Sequence, residues 1–292
     1  MADLPLMPDL PFRAPALRRV AVLHHPRVPA SHHLMQEILR LVERHGSEPV
    51  PGSVWETHAL EAILPGIDLC ITLGGDGSML RVARLAAPFG IPILGVNLGK
   101  LGFLAELAPE HVEALLPGIL AGNYWIEARI MLAAELHAGG NLAGRFDCLN
   151  EVVVARRHLA RVVQVAAILD GRQLTTYTAD GVLVATPTGS TAYSLAAGGP
   201  ILHPEVRNLV LTPISAFLSM RSPLVLPETT EVRLTVTTDH EAGASFDGQS
   251  DVELHSGDAV VIRVGPHTAR FVRVQERAYF YHTLVHKLGV KH

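Results

Sequence analysis

Val20-Ala21-Val22-Leu23 is a continuous apolar run, and Leu34, Ile38, Leu41 and Val42 then recur at intervals of one, three and four residues as far as Gly46. The run predicts a buried strand, and the spacing predicts an amphipathic helix that stops at the glycine. The alternation continues. Leu69-Cys70-Ile71-Thr72-Leu73 reads as a strand, residues 78–87 as a helix with Leu80, Ala83 and Leu85 available for packing, Ile91 to Val96 as a strand and 109–121 as a helix. Strands alternating with helices predict a parallel, doubly wound sheet. From about Trp125 the pattern changes to short Val-, Thr- and Ile-rich runs broken by Gly, Asn and Asp. Val162 to Leu169 meets Asp170-Gly171, Val232 to Thr237 alternates, and Val260 to Val264 is expected to end at Gly265-Pro266. This half is expected to be mostly β. Phe280 to Leu288 regains a helical spacing, and no internal repeat is evident.

The expected fold class is therefore α/β plus all-β. A flexible Pro-rich arm is expected over 1–16, a doubly wound parallel-sheet domain over 17–125, a β-rich, sandwich-like domain over 126–276, and a closing segment over 277–292 that packs back on the α/β domain. A chain of 292 residues suits about two domains and can form a complete enzyme.

Composition narrows the classes. No apolar run reaches the ~18 residues of a membrane span, and the first 16 residues carry four prolines and one arginine, unlike a signal peptide. A net charge of −4 argues against bulk attraction to nucleic acid or an anionic membrane. Cys70 and Cys148 form neither a disulfide framework nor a metal spacing, so a cytoplasmic location is expected. The sixteen histidines include the adjacent pairs His24-His25 and His32-His33 but no His-Glu-x-x-His, and they read as solvated or structural.

Candidate chemistry begins where the strand over 69–73 runs into Gly74-Gly75-Asp76-Gly77. Glycines let a bulky anion approach the main chain, and a lone carboxylate there is a candidate general base or metal contact. A plain strand-to-helix turn is the alternative. A Walker loop is excluded, because no lysine precedes Lys100, and a dinucleotide fingerprint fails at its third glycine, where Leu80 stands. In a doubly wound sheet ligands bind beyond the strand carboxyl ends, where this turn and Asn97-Leu98-Gly99-Lys100-Leu101-Gly102-Phe103 both fall.

Two further constellations lie in the β-rich half. Thr178 to Ser194 crowds hydroxyls around Pro187 and Gly189, and a helix capped by Ser190 and beginning near Thr191 would offer free amides to an anion. Asn150-Glu151 stands at the entry to Val152-Val153-Val154, where an amide and a carboxylate could fix a ribose. Asp247-Gly248-Gln249 reads as a turn.

Taken together, Leu73 to Arg81, Asn97 to Leu104, Leu149 to Val153, Asp180 to Pro204 and the closing Phe280-Tyr281-x-x-Leu284-x-x-Lys287-Leu288-Gly289 resemble the NAD kinase family in its bacterial form, over nearly everything after the arm. The resemblance implies transfer of the γ-phosphate of ATP to the 2′-hydroxyl of the adenosine ribose of NAD, giving NADP. It implies Asp76 as the catalytic carboxylate, a divalent metal, normally magnesium, on the ATP phosphates, and a homodimer or homotetramer. It also implies that NAD is bound by Asp76, Gly77, Arg81, Phe103, Asn150, Glu151, Arg161, Thr178, Asp180, Thr188, Thr191, Ala192, Tyr193, Ser194, Leu195, Ala196 and Gln249, with Tyr193 beneath one of the bases. The sequence departs from the family around Arg161, at Ser78, where many members carry Thr or Asn, and at its end, Val290-Lys291-His292, which lacks the aromatic often found there. Lipid kinases share the Gly-Gly-Asp-Gly turn, but Thr186 to Ser194 matches NAD kinases better. Phosphofructokinase would need a Thr-Ile-Asp-Asn-Asp segment that is missing here. A non-catalytic NADP(H)-sensing module is the remaining alternative. Asp76 argues against it, because a carboxylate in such a turn is costly without a partner or a task.

Overall fold

A computed structural model describes residues 17–99, 102–158, 161–217 and 219–287. The arm expected over 1–16 and the end of the closing motif from Leu288 lie outside the described residues. The chain divides into two compact units, one running to Ala128 and resuming at Ala269, the other Arg129–Thr268.

The first unit alternates as the pattern predicts. Its elements are β1 (Arg19–His24), α1 (Pro29–Arg44), β2 (Glu48–Ser53), α2 (Thr57–Ile63), β3 (Leu69–Gly74), α3 (Asp76–Ala86), β4 (Pro92–Asn97), α4 (Val112–Leu120) and the start of β5 (Trp125–Ala138). Strands order as β2-β1-β3-β4, and every pairing among them is parallel. Fully buried Val20, Val22, Leu69, Ile71 and Leu73 pack against Leu34, Met35, Ile38, Leu41 and Val42 of α1, which is the face that the helical spacing marks. Residues 48–53 give no strand pattern because Pro49 and Pro51 interrupt it. The structure places them on the edge strand, where a missing N–H removes no bond that the sheet needs. Helix α3 begins at Asp76, two residues earlier than the apolar pattern suggests, because its first turn is polar and glycine-rich.

The second unit continues β5 and adds β6 (Asn141–Cys148), β7 (Glu151–Arg156), β8 (Val163–Leu169), β9 (Arg172–Ala179), β10 (Gly181–Ala185), α5 (Tyr193–Ala196), β11 (Asn208–Ile214), β12 (Leu224–Pro227), β13 (Val232–Thr237), β14 (Ala242–Phe246), β15 (Ser250–Leu254) and most of β16 (Ala259–Arg273). The first unit closes with α6 (Tyr279–Lys287). One antiparallel sheet runs β12-β11-β10-β7-β14-β15. A second set, in which β13 pairs with both β16 and β8, and β8 with β9, lies across one shared core. Val152 and Val154 of β7 and Val182 and Val184 of β10 face that core with Val165, Val232, Leu234 and Ile262, the alternation expected of a sandwich. The opposite face of β7 and β10, through Val153, Leu183 and Ala185, is covered in part by Ala197 and Leu202.

One expected boundary is overturned. Strand β16 does not stop at Gly265-Pro266 but runs on to Arg273, 15 residues in all. It pairs with β13 through residues 259–262 and with β4 through Arg270 and Phe271, so the proline falls between the two ladders, where its missing donor breaks neither.

Candidate active site

Asp76 is the first residue of α3, after an extended Gly75. Its carboxylate turns away from its own helix to accept two main-chain amides of the segment after β4: Phe103 N–H at 2.9 Å on Oδ2 and Leu104 N–H at 3.2 Å on Oδ1. Gly102 makes this approach possible, since a Cβ built there would lie 1.9 Å from Oδ1. The side chain is half-buried, and these two backbone amides orient it. Phe103 itself packs toward Phe280 of α6, with ring centroids 6.4 Å apart.

The segment that holds Asp76 is itself held. Asn97 N–H bonds to the Leu107 carbonyl at 2.8 Å, and Glu106 and Leu107 amides both reach the Gly95 carbonyl, so the segment runs back along β4. Buried Glu106 accepts the amides of Val274 (2.7 Å) and Gln275 (2.9 Å) on Oε1 and the Arg273 guanidinium (3.1 Å) on Oε2. Arg273, also buried, donates to Glu127 at 2.8 Å and to the carbonyl of Leu104 at 3.0 Å. Burial alone would lower the Arg273 pKa, but the Glu127 and Glu106 carboxylates outweigh it and raise it. An enclosed charge triad thus fixes the carbonyl of the residue whose amide orients Asp76.

In the second unit Asn150 and Glu151 are pinned from two sides. The Asp247 carboxylate accepts the amides of Leu149 (2.7 Å), Asn150 (2.8 Å) and Glu151 (3.0 Å). Asp247 and Gly248 both have positive φ in the β14–β15 hairpin, the conformation that an Asp-Gly turn favours. From the other side, Thr186 donates its hydroxyl to the Leu149 carbonyl at 2.5 Å and its amide to the Asn150 carbonyl at 2.8 Å. Here too a glycine is obligatory, since a Cβ on Gly189 would lie 2.2 Å from the Asn150 oxygen.

Among the described residues this packing leaves two buried polar atoms of the site without a hydrogen-bond partner, Glu151 Oε2 and Thr188 Oγ1. Such atoms are costly unless a ligand or water reaches them. Burial and the nearby Asp247 carboxylate push the Glu151 carboxyl up to about 8, against a smaller opposing effect of the Tyr193 amide. The cap expected at Ser190 is absent. Its hydroxyl instead donates to the Pro187 carbonyl (2.6 Å) and accepts the Leu202 amide (2.9 Å). A 3₁₀ turn, Gly189–Thr191, and the four-residue α5 replace the longer helix, because Pro187 and the glycines on either side favour tight turns. In α5, Ser194 is tied to Thr212 at 3.1 Å, whereas Tyr193 is 44% exposed.

The structure brings Asn150, Glu151, Thr188 and the segment Thr191 to Ala196 into one region of the second unit, with Gln249 in the same hairpin turn as Asp247. Asp180 and Thr178 lie further along the strands from Glu151, although Arg156, the partner of Asp180, is near enough to Tyr193 to interact with it electrostatically. The register pairs Ala185 with Glu151 and Gly181 with Ala155, which puts Asp180 about 17 Å along the strands from Glu151. There its carboxylate accepts Arg156 Nε at 2.6 Å and is held below the usual carboxylate range by that bond. Thr178 bonds through its carbonyl to the Phe217 amide at 2.8 Å, and Arg161 is exposed after a stretch that is not described. Gly77 and Arg81 ride on α3 with Asp76. Glu106, Arg273, Asp247 and Thr186 escape a reading of the sequence as site residues. Of these, only the Asp-Gly hairpin signal at Asp247-Gly248 could have pointed to one.

Two family models match in the same order: one described as the ATP-NAD kinase N-terminal domain covers residues 13–124, and one described as the ATP-NAD kinase C-terminal domain covers 149–274. The chain is 42% identical to the NAD kinase of Chloroflexus aurantiacus over 272 residues, spanning 93% of this chain and 99% of that one. It belongs to the NAD kinase family. The NAD kinase of Dehalococcoides mccartyi is 40% identical over 93% of the chain and 96% of its own length. Among solved structures, yeast NADH kinase complexed with NADH superposes with a TM-score of 0.85 at 25% identity, over 94% of this chain and 88% of that one. An Archaeoglobus fulgidus NAD kinase in complex with ATP gives 0.74 at 25% identity, over 91% and 98%. Membership in the NAD kinase family thus rests on both halves, and the carboxylate on α3 lies within the N-terminal match.

Proposed function

We propose that the protein transfers the γ-phosphate of ATP to the 2′-hydroxyl of the adenosine ribose of NAD, giving NADP, with Asp76 as the base. One observation carries the assignment to Asp76: a carboxylate oriented by two backbone amides, with a glycine opposite, where family membership calls for a phosphotransferase. Phosphoryl transfer passes through a loose transition state, so the protein's task is positioning and charge rather than covalent chemistry. Asp76, fixed by Phe103 and Leu104, takes the proton from the hydroxyl as it attacks. The restraint from the Arg273 triad limits the carboxylate's drift, which matters because small misplacements cost large factors in rate.

The dinucleotide is held by Asn150, Glu151, Thr188 and the segment Thr191 to Ala196. The unpartnered buried oxygens of Glu151 and Thr188 support this, since a ligand hydroxyl or amide would satisfy both. Exposed Tyr193 offers a ring for a base to lie on. Asp76 provides one carboxylate beside main-chain amides. That donor set suits Mg²⁺ carried mainly on phosphate oxygens, and among the described residues no group of three or more His, Cys, Asp or Glu is placed to cage an ion. When bound, the metal neutralises charge on the donor phosphates. A cytoplasmic homodimer or homotetramer is part of the same reading. No helix among the described residues is long and apolar enough to cross a membrane, and nothing observed favours a lipid kinase or a silent sensor.

The test is direct. Purified protein with NAD, ATP and Mg²⁺ is expected to form NADP, assayed with polyphosphate and NADH as alternative substrates. Failure to form any NADP under these donors and metals would overturn the reading.

A further inference from the structure

One side-chain cluster of the first unit carries charge with no counter-ion among the described residues. Trp55, in the turn after β2, is 42% exposed. Two guanidiniums approach its ring, Arg27 and Arg81, each with its central carbon 4.6 Å from the ring centroid. The indole N–H donates to Nε2 of His25 at 3.3 Å, and the two rings meet edge-on with centroids 5.7 Å apart, so the indole is fixed in place. Neither guanidinium has an ion-pair partner among the described residues. Burial, and then the neighbouring cation of Arg84, lower the Arg81 pKa. In a chain with a net charge of −4, two unpaired cations gathered on one aromatic ring need an account.

Location supplies one. His25 follows β1, Trp55 follows β2, and Arg81 rides on the helix after β3, so three carboxyl-end elements of the parallel sheet converge there. A Cβ built on Gly74 would lie 3.8 Å from Cβ of His25, which sets the cluster beside the glycine turn. Along α3, Arg81 is five residues from Asp76, about 7.5 Å of axial rise and within reach of an extended triphosphate. Guanidinium planes hydrogen-bond phosphate oxygens in pairs, and stacking on an indole keeps such planes oriented beforehand.

We propose that Arg27, Arg81 and Trp55 form the subsite for the non-transferred phosphates of the phosphoryl donor. The assignment rests on the kinase reading, and it moves Arg81 from the dinucleotide to the donor. The pyrophosphate of NAD has the same chemistry, so the experiment must separate the two sources.

The chain has two tryptophans, and Trp55→Phe isolates the signal of one. Inorganic tripolyphosphate titrated into the wild-type protein is expected to change the fluorescence, and the change is expected to vanish in Trp55→Phe. Arg27→Met and Arg81→Met are each expected to raise KM for ATP about tenfold, with the Kd for NAD within about twofold of wild type; Arg27→Lys, which keeps charge but not the plane, should fall between. An unchanged KM for ATP in both methionine variants would overturn the proposal, as would a tripolyphosphate signal that survives in Trp55→Phe. Weakened NAD binding with normal ATP kinetics would overturn it too, by assigning the cluster to the dinucleotide. The titration needs no turnover, so a wild-type protein inactive on NAD would defeat the kinase reading while the cluster's binding is still measured.

Discussion

Gly102 lies so close to Asp76 that a single methyl group on it would occupy the position of Oδ1, 1.9 Å away. Gly102→Ala should therefore displace the carboxylate, lowering kcat by about 10²- to 10³-fold, of the order that general-base chemistry contributes. The thermal midpoint and NAD binding should stay near wild type, because the strain is local. Steady-state kinetics paired with a melting curve checks this, and normal kcat would refute the proposed geometry.

Removing the base is the complementary change. Asp76→Ala is expected to lose about two to four orders of magnitude in turnover while still binding NAD, measured by calorimetry alongside NADP formation.

Arg273 predicts a stability effect rather than a binding one. Arg273→Met removes the cation that buried Glu106 and Glu127 share, which should cost about 3–5 kcal/mol in denaturant unfolding. The triple variant Arg273→Met, Glu106→Gln, Glu127→Gln should recover much of that loss. If the single variant unfolds like wild type, the triad does not support the Asp76 segment.

Glu151 makes stability depend on pH. The folded chain keeps its proton up to about pH 8, whereas the unfolded carboxyl releases it near 4.5. Between those values the folded state binds more protons, so stability is fully present below about 4.5 and falls as pH rises toward 8. Glu151→Gln should flatten that slope and be the more stable form at pH 9 by on the order of a few kcal/mol. Asp247→Asn, which suits the positive φ but removes the neighbouring charge, should make the fall smaller and end it at lower pH, since Glu151 then ionises more readily in the folded state. A pH series of urea midpoints for the three proteins measures both effects.

Much of the architecture is legible in the sequence because burial leaves periodic marks. Strands β1, β3 and β4 are continuous apolar runs, and α1 shows its core face at helical spacing. Strand β2 is invisible for a local reason: its prolines erase the pattern, and only a position at the sheet edge makes them acceptable. The site divides the same way. Asp76, Asn150 and Glu151 stand out because glycines or strand entries frame them. Glu106 and Arg273 do not, since each is an ordinary charged residue until the fold encloses them together, 167 positions apart. Ser190 misleads because a hydroxyl before a polar turn looks like a cap, and only the nearby Leu202 amide reveals its other use.

The discontinuity of the first unit has a consequence for how the protein is made. Leu104 leaves the ribosome 169 residues before the arginine that fixes its carbonyl. At about 5–20 residues per second, that interval lasts roughly 10 to 30 s. Throughout it, the segment that orients the catalytic carboxylate lacks its anchor, so competence arrives late in synthesis, after the whole of the second unit has emerged.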